Sequence, residues 1–206
     1  MRRSQATAAL AEPGDIRQRV LDCASDLFYR EGVRAVGVDL IVERAGVAKT
    51  TLYRYFPTKD DLVAAFLKAE DVHFWSCWDA AAARGAGDAR AELNAQLEWI
   101  AERFARPNYR GCPQINVSAE FPDADHPARR VATAHKHALR DRFTELARRM
   151  RARDPNMLGL QLALLVNGGF SSSSIVQPDE APRVLAEAAD ALLVAHGVKT
   201  EARKRR

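Results

Sequence analysis

Between positions 44 and 59 the chain carries four basic residues and no acidic one, together with several hydroxyl side chains. Cations and hydroxyls on one short segment are groups that bind the phosphate oxygens of a nucleic acid. This segment therefore predicts a DNA-binding surface. Its candidate residues are Arg44, Lys49, Thr50, Thr51, Tyr53, Arg54, Tyr55 and Lys59.

The overall charge of the chain carries less information than this local cluster. The 206 residues have a formal net charge of +4, and residues 199–206 alone hold five basic residues and one acidic residue. A basic terminal segment is weak evidence for a nucleic-acid partner. The cluster at 44–59 is the more specific signal because it lies inside a segment with strong structural boundaries.

Glycine and proline mark the boundaries of three short helices around that cluster. We expect a first helix that starts with Asp15 as its cap and Gln18 as its capping-box partner, and that ends at Gly32. The second helix is expected at 38–45 and the third at 49–56. Gly46 at the turn between them can take a left-handed backbone, which predicts a helix-turn-helix. The third helix would then present the basic and hydroxyl residues to DNA.

Within residues 15–66 the chain resembles the TetR (tetracycline-repressor) family of bacterial transcriptional regulators. The residues that carry the resemblance are Phe28, Tyr29, Gly32, Ile41, Ala45, Gly46, Val47, Leu52, Tyr53, Tyr55, Phe56, Pro57, Lys59 and Leu62. The later segment RGCPQINVSAEFPDADHP is similar to one found in a subset of that family. The resemblance implies a homodimer that binds double-stranded operator DNA and is released by a small-molecule effector, most often as a repressor.

Three positions depart from the family pattern. Gly37 stands where the family usually has a serine or threonine that caps the second helix and binds phosphate. Leu40 replaces a frequent acidic residue, and Val42 replaces an alanine that packs. Gly37 can still cap a helix and stays a DNA-contact candidate, but without a hydroxyl.

The rest of the chain also reads as helices, so the expected fold class is all-α. Thr58 and Asp61 are expected to cap a long fourth helix reaching Ala83, and Asp88 to cap a fifth that runs to about 106. A short helix is expected near 114–120. A charged helix should follow from Pro127, with an apolar stripe formed by Val131, Ala138, Leu139, Phe143, Leu146 and Met150. An apolar helix is expected from 155 to Pro178, and a last one from Pro182 to Gly197.

These boundaries give an expected domain order. Residues 1–14 would be a disordered tail, 15–60 the helix-turn-helix domain, 61–197 a helical regulatory domain, and 198–206 a basic tail. In the family the last two helices pair with their copies as a four-helix bundle. The dimer-interface candidates are Gly168, Ser171, Leu185, Ala189 and Leu192.

The middle helices carry aromatic and polar residues in a mixture typical of a ligand cavity. The candidate ligand-binding residues are Trp75, Trp78, Trp99, Phe104, Gln114, Asn116, Glu120, Asn167 and Phe170. Ordinary core packing accounts for such residues equally well, and nothing in the sequence identifies the ligand.

Other functions are disfavoured by the residues. We expect no enzyme, cofactor or metal site, since His135 and His137 fall on different faces of a helix and no nucleotide-binding glycine loop occurs. The three cysteines are far apart, which fits a reducing cytoplasm. No apolar run is long enough to cross a bilayer. A redox-sensing Cys112 and an architectural DNA-binding protein without a ligand stay open as alternatives.

Overall fold

The computed structural model describes residues 13–172 and 175–199, and within them the protein is all-α with no strand. Its nine helices over these residues confirm the expected fold class. They are α1 Pro13–Glu31, α2 Val38–Ala45, α3 Lys49–Tyr55, α4 Lys59–Ala83, α5 Ala89–Glu102, α6 Pro113–Glu120, α7 Pro127–Arg149, α8 Pro155–Ser171 and α9 Ala181–Ala195. A short 3-10 turn, Arg103–Ala105, follows α5. None of these helices is both long and apolar enough to span a membrane.

The chain divides after Phe66, inside α4, into two compact units. The sequence places this boundary slightly earlier, after residue 60. In the first unit, α1, α2 and α3 pack on one another around fully buried side chains, among them Ala24, Ile41 and Leu52. Burial of this apolar surface is what holds the three helices together, since isolated helices as short as α2 and α3 are marginal in water.

Three of the helix boundaries predicted from glycine and from capping residues lie where the sequence places them. Gly46 has φ +63°, and its N–H closes the end of α2 by bonding to carbonyls of that helix. Thr58 and Asp61 bond reciprocally at the start of α4, with Oγ1 of Thr58 donating to Oδ2 of Asp61 over 2.7 Å. Asp88 caps α5 by accepting from the N–H of Ala91.

The start of α1 is wrong in the sequence-based prediction. The helix begins at Pro13, so Asp15 lies in its first turn and is not the cap. Gln18 donates to Asp22 over 2.8 Å and does not form a capping box. Proline is favoured at the first helical position because its ring fixes φ and no N–H is needed there. Pro13 and Gly14, which the predicted tail 1–14 includes, belong to α1, and residues 1–12 lie outside the described part.

The end of α8 is also wrong, since the helix was expected to continue toward Pro178 and ends at Ser171. The hydroxyls of Ser171 and Ser172 donate back to the carbonyls of Asn167 and Gly168, over 3.1 and 2.6 Å. Serine side chains compete with the helical backbone in this way, which explains an end within a serine run.

The buried face of α7 differs from the predicted stripe. Leu139, Phe143 and Leu146 are buried as expected, but Val131, Ala138 and Met150 are only half-buried. The buried residues of α7 are Ala128, Ala132, His135, Leu139, Phe143, Thr144, Leu146 and Ala147. The buried face is therefore rotated toward His135, which lies outside the predicted stripe.

In the second unit, α5, α7, α8 and α9 enclose the main apolar core. The helix pair with the most extensive contact is α7 and α8, and Gly159 lies at that contact. A methyl group on Gly159 would lie 2.7 Å from both Cα and N of Thr144, well inside van der Waals contact. The absence of a side chain at Gly159 is what allows the two backbones to approach.

Replacing Gly159 with alanine should lower the free energy of unfolding by about 1–3 kcal/mol, because the helices must move apart. Chemical denaturation followed by circular dichroism measures this change. The double variant Gly159→Ala/Thr144→Ala should be no more stable than Gly159→Ala, since the obstructing Cα and N atoms of residue 144 remain. Rescue by the double variant would show that only the threonine side chain obstructs.

Candidate nucleic-acid interface and effector pocket

Helix α3 presents a polar face to solvent because its single fully buried residue, Leu52, anchors the opposite face. Lys49, Thr50 and Arg54 are exposed, and 40% of the Tyr53 surface is accessible. Thr51 and Tyr55, also DNA-contact candidates, are half-buried. The structure therefore brings basic and hydroxyl groups together on one face of one helix.

Helix α2 precedes α3 in the chain, and no side chain caps its start. Gly37 is the N-cap, with φ −81° and ψ 154°, and no side chain bonds to the first-turn N–H groups. Free N–H groups at a helix start attract anions such as phosphate. Arg44, in the last turn of α2, is exposed.

One acidic residue lies among these groups. Nζ of Lys49 is 2.8 Å from Oδ1 of Asp39, and both side chains are largely exposed. The hydrogen bond from Lys49 to Asp39, followed by their charge attraction, raises the pKa of Lys49 above its usual value. Lys49 is therefore charged, and its charge is partly offset by a carboxylate.

Two of the remaining cations take part in contacts within the first unit. Arg54 lies over the ring of Tyr55, 5.0 Å from its centroid, and donates to the Tyr55 hydroxyl over 3.3 Å. Lys59 is half-buried and donates to the carbonyl of Val33 over 2.6 Å. Lys59 thus ties the start of α4 to the segment between α1 and α2.

Comparison with known proteins identifies this helix-turn-helix. Residues 20–66 match the model of the bacterial regulatory proteins of the TetR family. A TetR-family transcriptional regulator from Streptomyces coelicolor is 31% identical, and the match covers 89% of this chain and 96% of that protein with a TM-score of 0.82. The chain belongs to the TetR family. It is a DNA-binding transcription regulator.

Two curated relatives show how the similarity is distributed along the chain. The transcriptional regulator YjdC of Escherichia coli is 25% identical over 157 residues, 75% of this chain and 81% of that protein. The transcriptional repressor KstR of Rhodococcus jostii is 44% identical over 54 residues, 26% of each chain. Of these two relatives, the one with the higher identity matches only a short segment, about as long as a helix-turn-helix domain.

The second unit of this TetR-family protein contains a pocket between α4, the 3-10 turn, α6, α7 and α8. It encloses about 330 Å³ of empty space, its open mouth included. Its lining residues are Glu70, His73, Phe74, Arg103, Cys112, Pro113, Gln114, His135 and Phe170. The mixture of aromatic walls and a few polar groups is typical of a small-molecule site.

His135 is held in the pocket by a partly buried hydrogen bond. Its Nδ1 lies 2.6 Å from Oδ1 of Asp71, which also accepts from Nε1 of Trp75 over 2.8 Å. Burial lowers the pKa of His135 below its usual value, although the bond to Asp71 acts in the opposite direction. The imidazole is therefore neutral at neutral pH.

Burial also acts on Glu70 at the same pocket. Loss of solvation raises the pKa of the Glu70 carboxyl, while the nearby charges of His73, Arg103 and Arg106 oppose that rise. Arg103 lies over the ring of Trp99, 5.0 Å from its centroid, and 5.9 Å from that of Phe74. The guanidinium is thus arranged against aromatic faces, where its charge is favourably placed.

Of the nine ligand candidates from the sequence, Gln114 and Phe170 line this pocket. Trp78, Trp99 and Phe104 lie in the core cluster, and only 1% of Trp78 is exposed. Four other candidates do not line it: Trp75, Asn116, Glu120 and Asn167. Asn116 braces its loop by donating to the carbonyl of Arg110 over 2.7 Å, and Asn167 accepts from Lys136 over 2.6 Å.

Seven of the nine lining residues were not among the ligand candidates from the sequence, and Phe74, Arg103 and His135 are three of them. Phe74 is the centre of an aromatic cluster, with its ring centroid 5.1 Å from that of Trp99 and 4.8 Å from that of His135. A usable signal existed for His135, because it falls at helical spacing between Ala132 and Leu139 on the buried face.

Cys112, the open candidate for a thiol sensor, is buried and lines the pocket. Nζ of Lys136 donates to its Sγ over 3.4 Å. A cation close to the sulfur is one condition that reactive cysteines share. Solvent access, the other condition, is low here.

The dimer candidates separate into two groups. Leu185 and Ala189 are buried within the subunit itself, and Leu192 is half-buried against the same core. Ser171 is exposed, and an added methyl group on Gly168 would meet nothing within 4 Å in the subunit. The surface that α8 leaves free therefore includes Gly168 and Ser171.

Replacing Asp39 with asparagine should strengthen binding to non-specific duplex DNA by about two- to fivefold and steepen its salt dependence. The carboxylate would no longer offset Lys49 close to the phosphates. Fluorescence anisotropy across a salt series measures both effects. The matched control is Asp26→Asn, which makes the same charge change on α1 and should alter neither. Equal effects of the two variants would show that only net charge matters.

Proposed function

We propose that this protein is a homodimeric repressor that binds palindromic operator DNA and is released from it by a small-molecule effector. The observation that carries the proposal is the exposed face of α3, which gathers Lys49, Thr50, Tyr53 and Arg54 over the buried anchor Leu52. We place this regulator in the cytoplasm, where its DNA target lies.

In the proposed complex α3 enters the major groove and the surrounding groups bind the backbone. The small residues at its start let the helix approach the base edges, while Tyr53 and the cations reach phosphates. Gly37 at the start of α2 contributes backbone N–H groups in place of a hydroxyl. Arg44 and Lys59 belong to the same proposed contact set.

A dimer is proposed because one such module makes few contacts and a two-fold pair reads two half-sites. Three exposed apolar residues of α8, Met157, Leu160 and Leu164, recur at helical spacing. The neighbouring α9 exposes Val184 and Val194. Apolar side chains at such spacing on two packed helices supply the self-complementary face that the buried Leu185 and Ala189 cannot supply.

Effector release is proposed to act through α4. This helix begins a few residues after α3 ends, and it carries Glu70, His73 and Phe74 of the pocket. A ligand that fills the pocket would contact α4 and change the separation of the two DNA-reading helices in the dimer. A ligand shifts this equilibrium only if it binds the two arrangements with different affinity.

The proposal is tested by selecting genomic fragments with the purified protein and then titrating the recovered operator. We expect a palindromic site, and we expect metabolite fractions that raise the melting temperature of the protein to weaken its operator binding. Stabilising fractions that leave operator affinity unchanged would contradict effector release. Recovery of fragments with no common sequence would favour an architectural protein.

Tyr53→Phe tests the assignment of α3 as the recognition helix. The change removes one hydroxyl per subunit, worth about 0.5–1.5 kcal/mol each, so operator affinity should fall roughly tenfold over two half-sites. Fluorescence anisotropy with labelled operator measures it. The control Tyr29→Phe removes a hydroxyl from α1 and should keep wild-type affinity. Wild-type affinity for Tyr53→Phe would exclude a contact by that hydroxyl.

Leu164→Glu tests the dimer surface. This side chain is 62% exposed in the subunit, so a charge there should leave the subunit folded and should break a dimer that buries it. Light scattering after size exclusion should show a monomer, and operator affinity should drop by more than tenfold. The control Val72→Glu alters an apolar residue of α4 that is 71% exposed, and it should stay dimeric. A dimeric Leu164→Glu variant would place the interface elsewhere.

A further inference from the structure

Two buried hydrogen-bond acceptors of the pocket residues have no partner within the described part of the chain. They are Nε2 of His135 and Oε1 of Gln114, and each of these side chains is only 2% exposed. Buried polar atoms in folded proteins are nearly always hydrogen-bonded, so two exceptions lining one pocket require an explanation. A ligand group that bonds to both atoms would provide it.

The bonding of His135 fixes which role its free nitrogen plays. Nδ1 faces the Asp71 carboxylate at 2.6 Å, and a carboxylate offers acceptors, so Nδ1 carries the proton. Burial lowers the pKa of His135, so the ring is neutral and carries one proton only. Nε2 therefore presents a lone pair and can only accept a hydrogen bond.

The orientation of the Gln114 amide follows from the same reasoning. Its Nε2 donates to the carbonyl oxygen of Leu67 over 3.1 Å. Because a carbonyl oxygen is an acceptor, the amide nitrogen must face it, and Oε1 is left as the second free acceptor. Nε2 of His135 and Oε1 of Gln114 thus both call for a donor.

The remaining lining groups bear on the charge and shape of the ligand. Phe74 and Phe170 provide aromatic walls, with ring centroids 6.4 Å apart in an edge-to-face arrangement. The positive charge of Arg103 is placed over the faces of Trp99 and Phe74, and Glu70 adds a further acceptor. A carboxylate ligand would set its own lone pairs against those of His135 and Gln114.

We infer that the effector is a small, neutral, single-ring aromatic molecule carrying hydroxyl or amino groups that donate to Nε2 of His135 and Oε1 of Gln114. Its ring would lie against Phe74 and Phe170. The enclosed part of the pocket has room for about one water molecule, about 10 Å³, so the aromatic side chains must move to admit a ring, which favours one ring over several. The ligand class is a property of the pocket, but its role as an effector rests on the proposed function.

Isothermal titration calorimetry on the full-length protein tests the ligand class. The donor-bearing compounds are phenol, aniline and resorcinol, and the matched compounds are 1,3-dimethoxybenzene, which lacks donors, and benzoate, which is anionic. We expect at least one donor-bearing compound to bind at least tenfold more tightly than both matched compounds. Equal or tighter binding of 1,3-dimethoxybenzene or benzoate would overturn the inference, as would no binding by any donor-bearing compound, in which case a water molecule is the partner of both atoms.

His135→Asn locates the binding. The asparagine amide can still donate to Asp71, as Nδ1 does, but the acceptor Nε2 is lost. The affinity of the best donor-bearing compound should fall about three- to tenfold, the value of one hydrogen bond. The matched control His137→Asn alters an exposed residue two positions along α7 and should bind as the wild type does. Unchanged affinity in a folded His135→Asn protein would overturn the assignment, and if that variant does not fold, the wild-type compound series decides alone.

Measuring operator binding distinguishes a failure of the ligand class from a failure of the proposed effector release. If donor-bearing compounds bind through His135 but never weaken operator binding, the ligand class stands and effector release fails. If an anionic or purely apolar compound releases the operator, and His135→Asn responds to it normally, release stands and the ligand class is overturned.

Discussion

The hydrogen bond between Asp71 and His135 is the interaction on which the second unit of this protein depends. It joins α4 to α7 across 64 positions of sequence at a site where the histidine is almost fully buried. Asp71 also holds the indole of Trp75, so one carboxylate fixes two aromatic side chains. Because Nδ1 carries the proton and donates it in the hydrogen bond to Asp71, the second nitrogen is left facing the pocket as an acceptor. A structural bond therefore decides the chemistry of the pocket.

The first unit, which contains the helix-turn-helix, must hold a very short helix at a fixed angle. Helix α3 has seven residues and one fully buried side chain, too few to be stable alone. The left-handed turn at Gly46 and the bond from Arg19 to the carbonyl of Ala45, over 2.9 Å, set its direction. Because the backbone turn and the buried core hold α3 in place, its exposed side chains are not needed for stability and are available for the proposed contact with DNA.

Local signals in the sequence predicted several helix boundaries correctly. Contacts between residues far apart in the chain could not be predicted from the sequence. Gly46, Thr58 with Asp61, and Asp88 act within a few residues of themselves, so their roles follow from spacing alone. His135 does not, because its burial is made possible by a carboxylate far away in the chain. The same reason explains the pocket: the sequence indicated an aromatic and polar mixture, but only packing shows that Phe74 lines the pocket while Trp78 lies in the core.

Helix α8 connects the two proposed roles of the second unit. One face buries Val166 and Phe170, and Phe170 forms a wall of the pocket. The opposite face exposes Leu160 and Leu164, which belong to the proposed dimer surface. A helix is stiff along its axis, and close-packed interiors transmit small displacements with little loss. A ligand that pushes on Phe170 would therefore act on the dimer contact and on α4 together, so effector binding and dimer geometry need not be separate events in this mechanism.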